Sequence, residues 1–198
     1  MNETPSSRPR GRRTLLLLAV IFLGPLALSF WLYYGTSWRP VGDTNHGQLI
    51  DPARPLPALA LPDLQGAAAP ARWFDDKWSM VVVGHGACDE DCRRSLVFAR
   101  QIWLGLGRSG SRVQRVFLAT DPCCDRDYLQ REHAGLLTLD GSAATAAPLL
   151  AQVPAQDRSH MIFIVDPLGN LMMRYDSRLE PKGLRADLKK LLGLSHIG

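Results

Sequence analysis

The stretch 79–93, Ser-Met-Val-Val-Val-Gly-His-Gly-Ala-Cys-Asp-Glu-Asp-Cys-Arg, decides how the rest of the chain is read. Its first six residues are a short apolar run dense in valine, the pattern of a strand buried on both faces. Gly84-His85-Gly86-Ala87 then turns the chain, Asp89 or Asp91 caps, and Arg93 to Leu106 carries Leu96, Val97, Arg100, Ile102, Trp103 and Leu106 in helical rhythm. Cys88 and Cys92 fall where a strand gives way to a helix.

Toward the C-terminus, Gly107 to Gly110 ends that helix and Val113 to Thr120 reads as a second buried strand before Asp121-Pro122, which completes a right-handed βαβ unit. A short helix is expected at Asp125–Glu132, a strand at Gly135–Leu139 and an alanine-rich helix at Ala143–Gln152. Met161–Val165 and Leu171–Tyr175 flank the turn residues Asp166-Pro167-Leu168-Gly169-Asn170 as an antiparallel hairpin, and Leu184–Leu192 closes the domain as a helix. A βαβ half followed by a ββα half is the thioredoxin-like arrangement, an α/β fold with a mixed central sheet.

Toward the N-terminus, Pro40, Pro52, Pro55, Pro57 and Pro62 read as a linker and entry region, with short pairing segments within Pro57–Leu64 and Ala71–Phe74. The run Leu15–Tyr34 carries no charge, and at about 1.5 Å per helical residue it reaches across a hydrocarbon core of roughly 30 Å. Pro25 is tolerated in a spanning helix, and Trp31, Tyr33, Tyr34 and Trp38 lie at its far end, where aromatic rings favour the interface. A cleaved signal peptide has a shorter apolar core and a small-x-small site, which Tyr34-Gly35-Thr36-Ser37 matches poorly.

Arg8, Arg10, Arg12 and Arg13 precede the run, which predicts a cytoplasmic N-terminus and an exported C-terminal domain. The same cluster supplies much of the net charge of +4 and the pI near 9.1, and no basic-aromatic interleaving argues for nucleic acid. With 46% apolar and 21% charged residues, the chain is neither fibrous nor broadly disordered. The expected organisation is a basic tail at 1–14, one transmembrane helix at 15–34, a linker at 35–55 and one domain at 56–195. Its expected place is the inner (plasma) membrane, single-pass, with the domain periplasmic or otherwise exported.

Four residues of helix rotate by about 40° net, which brings the sulfurs of Cys88 and Cys92 to one face, where they meet each other or one metal. The site lies at the carboxyl edge of the sheet, where open α/β folds gather binding groups. A helix N-terminus stabilises thiolate; Asp89, Glu90 and Asp91 oppose that, while Arg93 and Arg94 assist it. Thiolate pairs suit copper(I) and also bind zinc, so the pair by itself does not choose between metal, redox work and an inert disulfide of an exported domain.

Cys88-x-x-x-Cys92 after a valine-rich strand, the hairpin Asp166-Pro167-x-Gly169 and a single N-terminal anchor together resemble the SCO/SenC family of cytochrome oxidase copper-assembly proteins. The resemblance covers roughly Leu56 to Leu192. Trp38-Arg39-Pro40, Thr44-Asn45-His46-Gly47 and Asp166-Pro167-Leu168-Gly169-Asn170-Leu171-Met172 look closest to the SCO-like single-span membrane proteins encoded among oxidase assembly factors. It implies a thioredoxin-like fold, copper held by two cysteines and a histidine, and copper delivery or thiol reduction at the dinuclear centre of cytochrome c oxidase subunit II. Such a protein is a metallochaperone or assembly factor rather than a classical enzyme.

One departure stands out. Aligned through Asp166-Pro167, the family's histidine ligand falls on Arg158. His160 shares the face of position 158 if that segment is extended, and either replaces the ligand or is a strand-edge residue. His85, three residues before Cys88, either folds toward the thiolates or is a loop residue. His46 reads as a structural or interaction residue, and His133 and His196 as surface residues.

Cys123 and Cys124 follow the second strand and so emerge on the same sheet edge as Cys88. Adjacent Cα atoms stand about 3.8 Å apart, below the disulfide range of about 4.4 to 6.8 Å, which favours free thiols or pairing elsewhere. They are either a relay pair for Cys88 and Cys92 or two small loop residues. Asp121, Asp125 and Asp127 lack the glycine and terminal glutamate of a calcium loop, and there is no phosphate loop or serine elbow. Two further readings stay open: a general periplasmic thiol-disulfide oxidoreductase and a structural assembly scaffold.

Overall fold

The computed structural model of the protein describes residues 8–36, 45–122, 124–195 and 197, and the chain divides into two compact units, 1–43 and 44–198. In the first, α1 (Arg8–Gly35) contains Pro25, and its portion Gly11–Gly35 is long and apolar enough to cross a membrane. Leu15, Phe22, Phe30 and Trp31 are all exposed, the condition that lipid satisfies for a helix apolar all round. Trp38, expected at the interface, lies outside the described residues.

The second unit is built on six strands: β1 (Gln48–Pro55), β2 (Trp78–Gly84), β3 (Val113–Ala119), β4 (Leu136–Asp140), β5 (Met161–Val165) and β6 (Asn170–Asp176). Their order is β1-β6-β5-β2-β3-β4, with β2, β3 and β4 parallel and β5, β6 and β1 antiparallel. Helices α2 (Glu90–Gly105), α3 (Arg126–Glu132), α4 (Ala147–Leu150) and α5 (Pro181–Leu194) complete it. The mixed sheet expected from the βαβ and ββα halves is present.

The valine run explains the two layers. Met80 and Val82 enter a core cluster with Leu96, Ala99 and Ile102 of α2 and Leu184 and Leu188 of α5. Val81 and Val83, on the opposite face, pack with Leu61, Trp73, Phe74 and Leu149. Each such valine contributes about 1.5 kcal/mol or more by leaving water, so β2 is the strand from which the domain is organised.

Several expectations need correction. Residues 48–55, read as linker, form β1, which pairs with β6 through Gln48↔Arg174 and Leu49↔Met173 and, after a register shift, Arg54↔Leu171. An edge strand interrupted by a bulge tolerates Pro52 and needs no alternating apolar pattern, so it leaves no strand signal in the sequence. Ala71–Phe74 is a turn rather than a strand: Trp73 and Phe74 are buried as a lid over the second face, and Phe74 approaches Gly169 so closely that a Cβ there would lie 2.4 Å from its ring. Pairing within Pro57–Leu64 consists of isolated bridges at Pro62 and Asp63 and of backbone bonds from the Leu59 amide to the Ala71 carbonyl and from the Ala69 amide to the Leu61 carbonyl, without a continuous strand. The alanine-rich helix is reduced to α4 after a 3-10 turn, because Pro148 lacks an amide hydrogen and is accommodated only in a first turn.

His133 is not a surface residue. It is 2% exposed at the C-cap of α3, with Nε2 3.2 Å from the Tyr128 hydroxyl. Burial first, then the charges of Arg115 and Arg100, hold its imidazole below the ordinary histidine range. His196 lies outside the described residues.

His46 has a structural role. The buried carboxylate of Asp187 on α5 accepts the amides of His46 (2.8 Å) and Gly47 (2.9 Å) and stands 3.0 Å from His46 Nδ1. The approach is close: a Cβ at Gly47 would lie 2.7 Å from the Met173 sulfur.

Two outcomes follow. Asp187→Ala leaves two backbone amides without their charged acceptor and is expected to lower unfolding free energy by about 3 kcal/mol, read from the urea midpoint. For His133, the unfolded chain binds a proton more readily than the native one, so stability falls as pH drops through about 6.5 and levels off below the native pKa. His133→Gln is expected to remove that part of the pH dependence, and an unchanged profile would contradict it.

Candidate functional site

The parallel ladder from Trp78↔Val113 to Gly84↔Ala119 ends with the Thr120 amide donating to the Gly84 carbonyl at 2.8 Å. The loops that follow β2 and β3 therefore leave the same edge side by side. In the first loop the Cys88 amide donates to the His85 carbonyl (2.8 Å), and Cys88 takes a left-handed backbone with φ of 47°. Asp89 then caps α2, its carboxylate accepting the Cys92 amide at 2.8 Å.

Cys88 and Cys92 are joined in a disulfide with a Cα–Cα distance of 5.2 Å. The pair forms differently from the helical-face expectation. Cys88 precedes the helix, and its left-handed turn, rather than helical rotation, swings its sulfur to Cys92 in the first turn of α2. The pair is enclosed: Cys88 is 6% and Cys92 0% exposed. Gly84 makes the room, since a Cβ there would lie 3.2 Å from Cys92 Sγ.

Gly86 brings the two loops together, because a Cβ at that position would lie 2.2 Å from the Pro122 carbonyl oxygen. Its amide donates to Asp121 Oδ1, and His85 Nδ1 lies 3.1 Å from Asp121 Oδ2. The Gly86 amide, against some opposition from burial and with help from His85, holds the Asp121 carboxyl below the ordinary range. Arg93 ties the loops from the other side: its Nε donates to the Cys88 carbonyl at 3.1 Å, and its guanidinium sits 4.9 Å over the Tyr128 ring of α3. Of the acidic turn, Glu90 and Asp91 are paired with Arg94.

The histidines are placed as follows. His85 is exposed and engaged by Asp121. His160 lies in a turn, not in an extended segment, and Ser159 before it has φ of 70°, so the alternation that would set positions 158 and 160 on one face does not apply. That turn still sits at the cysteine end of β2: the Ser159 amide donates to the Val83 carbonyl (2.6 Å), and the Ser95 hydroxyl of α2 donates to the Ser159 carbonyl (2.6 Å). Arg158 reaches the Leu150 and Val153 carbonyls, on the side of the second core cluster. Among the described residues no three His, Cys, Asp or Glu side chains gather to hold a metal.

Cys124 is half-buried, packs against the core cluster that contains Cys88 and Cys92, and is disulfide-bonded, so of the two expectations there, a free thiol or a paired one, the free thiol does not hold. Cys123 lies outside the described residues. The sequence reading missed Ser95, fully buried and paired with the Ser177 hydroxyl at 2.7 Å, although its spacing from Cys92 and Ala99 puts it on the inward helix face. Gly84 and Gly86, read only as turn residues, are spacers whose missing Cβ atoms admit a sulfur and a neighbouring backbone.

The arrangement can open and close a disulfide and, once open, present two thiolates from one turn. Fold and site together define a thioredoxin-like domain with an oxidisable CxxxC pair at its first strand-to-helix turn, in a chain that also carries one membrane-length helix. The chain belongs to the family described as the transmembrane-like, thioredoxin-like, C-terminal domain, which matches residues 78–195; a transmembrane-like, N-terminal domain matches residues 5–36.

Among solved structures, apo Sco1 from Thermus thermophilus shares 23% identity at a TM-score of 0.60, covering 76% of this chain and 99% of that one. Copper-bound ScoI from Bradyrhizobium japonicum shares 23% identity at 0.56, covering 70% and 99%. Copper-bound yeast Sco1 shares 19% at 0.59, covering 78% and 96%. At these identities the likeness is one of fold. No curated protein sequence matches.

Because the native Asp121 carboxyl is depressed, its clamp on Gly86 is complete above the unfolded value near 3.9 and is lost as pH falls through the native pKa. The Gly86 amide resonance is expected to titrate below about pH 4, and Asp121→Ala should abolish that titration; a resonance insensitive to both would remove the clamp.

Proposed function

We propose that this protein is a membrane-anchored, SCO-like assembly factor for cytochrome c oxidase, which uses Cys88 and Cys92 to carry copper(I) or to set the redox state of copper-site thiols. The observation that supports this most directly is a disulfide-forming CxxxC pair at the carboxyl edge of a fold shared with copper-bound Sco structures. Reduced, the pair offers two soft sulfurs suited to copper(I). The third ligand on this reading is His160, whose turn is bonded to both β2 and α2 at the cysteine end, ahead of His85, whose Nδ1 is engaged by Asp121. Since no third ligand stands with the oxidised pair among the described residues, loading copper requires reduction of the disulfide and a shift of the 158–160 turn.

The arginines in the first turns of α1, ahead of its apolar run, orient the N-terminus to the cytoplasm and the domain to the periplasm or an equivalent exported space, where the pair stays oxidised until a partner reduces it. Subunit II of the oxidase is the partner the resemblance suggests. The disulfide also supports a second reading, a general periplasmic thiol-disulfide oxidoreductase.

Anaerobic copper(I) titration of the reduced full-length protein in detergent distinguishes the two. One tightly held copper(I) per chain is expected, abolished in Cys88→Ser/Cys92→Ser and weakened at least about tenfold, or 1.4 kcal/mol, in His160→Ala but less in His85→Ala. Binding unchanged in the double serine variant rules out the copper assignment.

A further inference from the structure

We propose that the outer face of α2 and α5 docks on an anionic lipid surface, that of the bilayer in which the chain is anchored. This rests on the reading of α1 as a membrane anchor and is independent of whether Cys88 and Cys92 carry copper or exchange disulfides. The net charge of +4 hides how charge is divided along the chain. Residues 92–120 contain no aspartate or glutamate, and 181–198 contain only Asp187, which is buried and accepts the amides of His46 and Gly47. In the same two stretches Arg100, Arg108, Lys182, Arg185 and Lys189 are exposed. Among the described residues none of these five takes part in an ion pair. The acids nearest in sequence, Glu90, Asp91 and Glu180, stand at the starts of the two helices, the first two paired with Arg94.

Packing joins the two stretches into one face. α2 is buried through Leu96, Ala99 and Ile102 and α5 through Leu184, Leu188 and Leu192, which leaves 97, 101 and 104 of the one and 182, 185 and 189 of the other outward. Arg185 closes the seam, since a Cβ at Gly105 would lie 3.1 Å from its Cδ. A notch of about 240 Å³ opens there, with Gln101, Lys182 and Arg185 on its walls. Two apolar side chains sit among the cations, Leu104 at 59% exposed and Val97 at 40%. Cations around exposed aliphatic groups suit an anionic lipid interface, where headgroup phosphates attract the former and the acyl boundary admits the latter. The link favours lipid over an acidic protein as the occupant. The twelve residues 36–47 between α1 and β1 reach at most about 40 Å, so the bilayer is always within range and an attraction weak per residue acts at high effective concentration. With this face down, the α2 axis lies along the membrane plane, and Cys92 in its first turn is presented sideways, toward thiols of other membrane-bound proteins.

The test places the full-length protein in nanodiscs of phosphatidylcholine alone or of equal parts phosphatidylcholine and phosphatidylglycerol, and follows acylation of each lysine by a membrane-impermeant reagent. At low ionic strength Lys182 and Lys189 are expected to react at least about fivefold more slowly in the anionic discs, and salt at about 1 M, where the Debye length is about 3 Å, is expected to remove the difference. Lys77, beside Asp75 and Asp76 before β2, is expected to react alike in both discs. Arg108→Glu/Arg185→Glu keeps both reporting lysines and is expected to abolish their protection. The comparison of lipids uses the unaltered chain and stands whether or not that variant folds. Equal reaction of Lys182 and Lys189 in the two discs, or equal protection of Lys77, overturns the docking and leaves the anchor standing. A chain that enters neither disc overturns both.

Discussion

The parallel pairing of β2 with β3 is the constraint on which the cysteine edge depends. Because the two strands are in register from Trp78↔Val113 to Gly84↔Ala119, the loops that follow are released at the same height. Antiparallel neighbours would send them to opposite ends. The pairing is itself secured by burial on both faces, Met80 and Val82 on one side and Val81 and Val83 on the other. A sheet so enclosed has little freedom to slip, since a one-residue shift would exchange its faces.

At that edge the backbone matters more than the side chains. Gly84 admits the Cys92 sulfur and Gly86 admits the Pro122 carbonyl, so two glycines place a disulfide and a second loop within touching distance. The local electrostatics are divided. The end of α2 favours a thiolate, but the Asp89 carboxylate already accepts the Cys92 amide, and Glu90 and Asp91 add negative charge that Arg94 partly balances. Thiol acidity here is therefore a compromise, in contrast to a site whose helix amides all face the sulfur.

Much of this was legible along the chain. The valine run, the helical rhythm after Cys92, and the turn residues between Met161–Val165 and Asn170–Asp176 each stated their element, because each is a local pattern of burial or of turn chemistry. What escaped had no local signature. Strand β1 is exposed, bulged and interrupted by Pro52, and is a strand only because β6 offers it hydrogen bonds. His133 looked like a surface residue because its polarity says nothing of the packing that buries it at the C-cap of α3. The 158–160 turn looked extended until Ser159 proved left-handed.

The sequence by itself determined the membrane-length helix, the order of the βαβ and ββα halves and the position of Cys88 and Cys92 at a strand-to-helix turn, since these follow from periodicity and composition along a few residues. Only the tertiary structure decided that the pair is closed as an enclosed disulfide, that the Cys124 loop lies against it, and that His160 and His85 stand apart from it. The disulfide depends on the left-handed turn at Cys88, and the enclosure and the placement of the Cys124 loop on contacts between segments distant in sequence, none of which a one-dimensional pattern encodes.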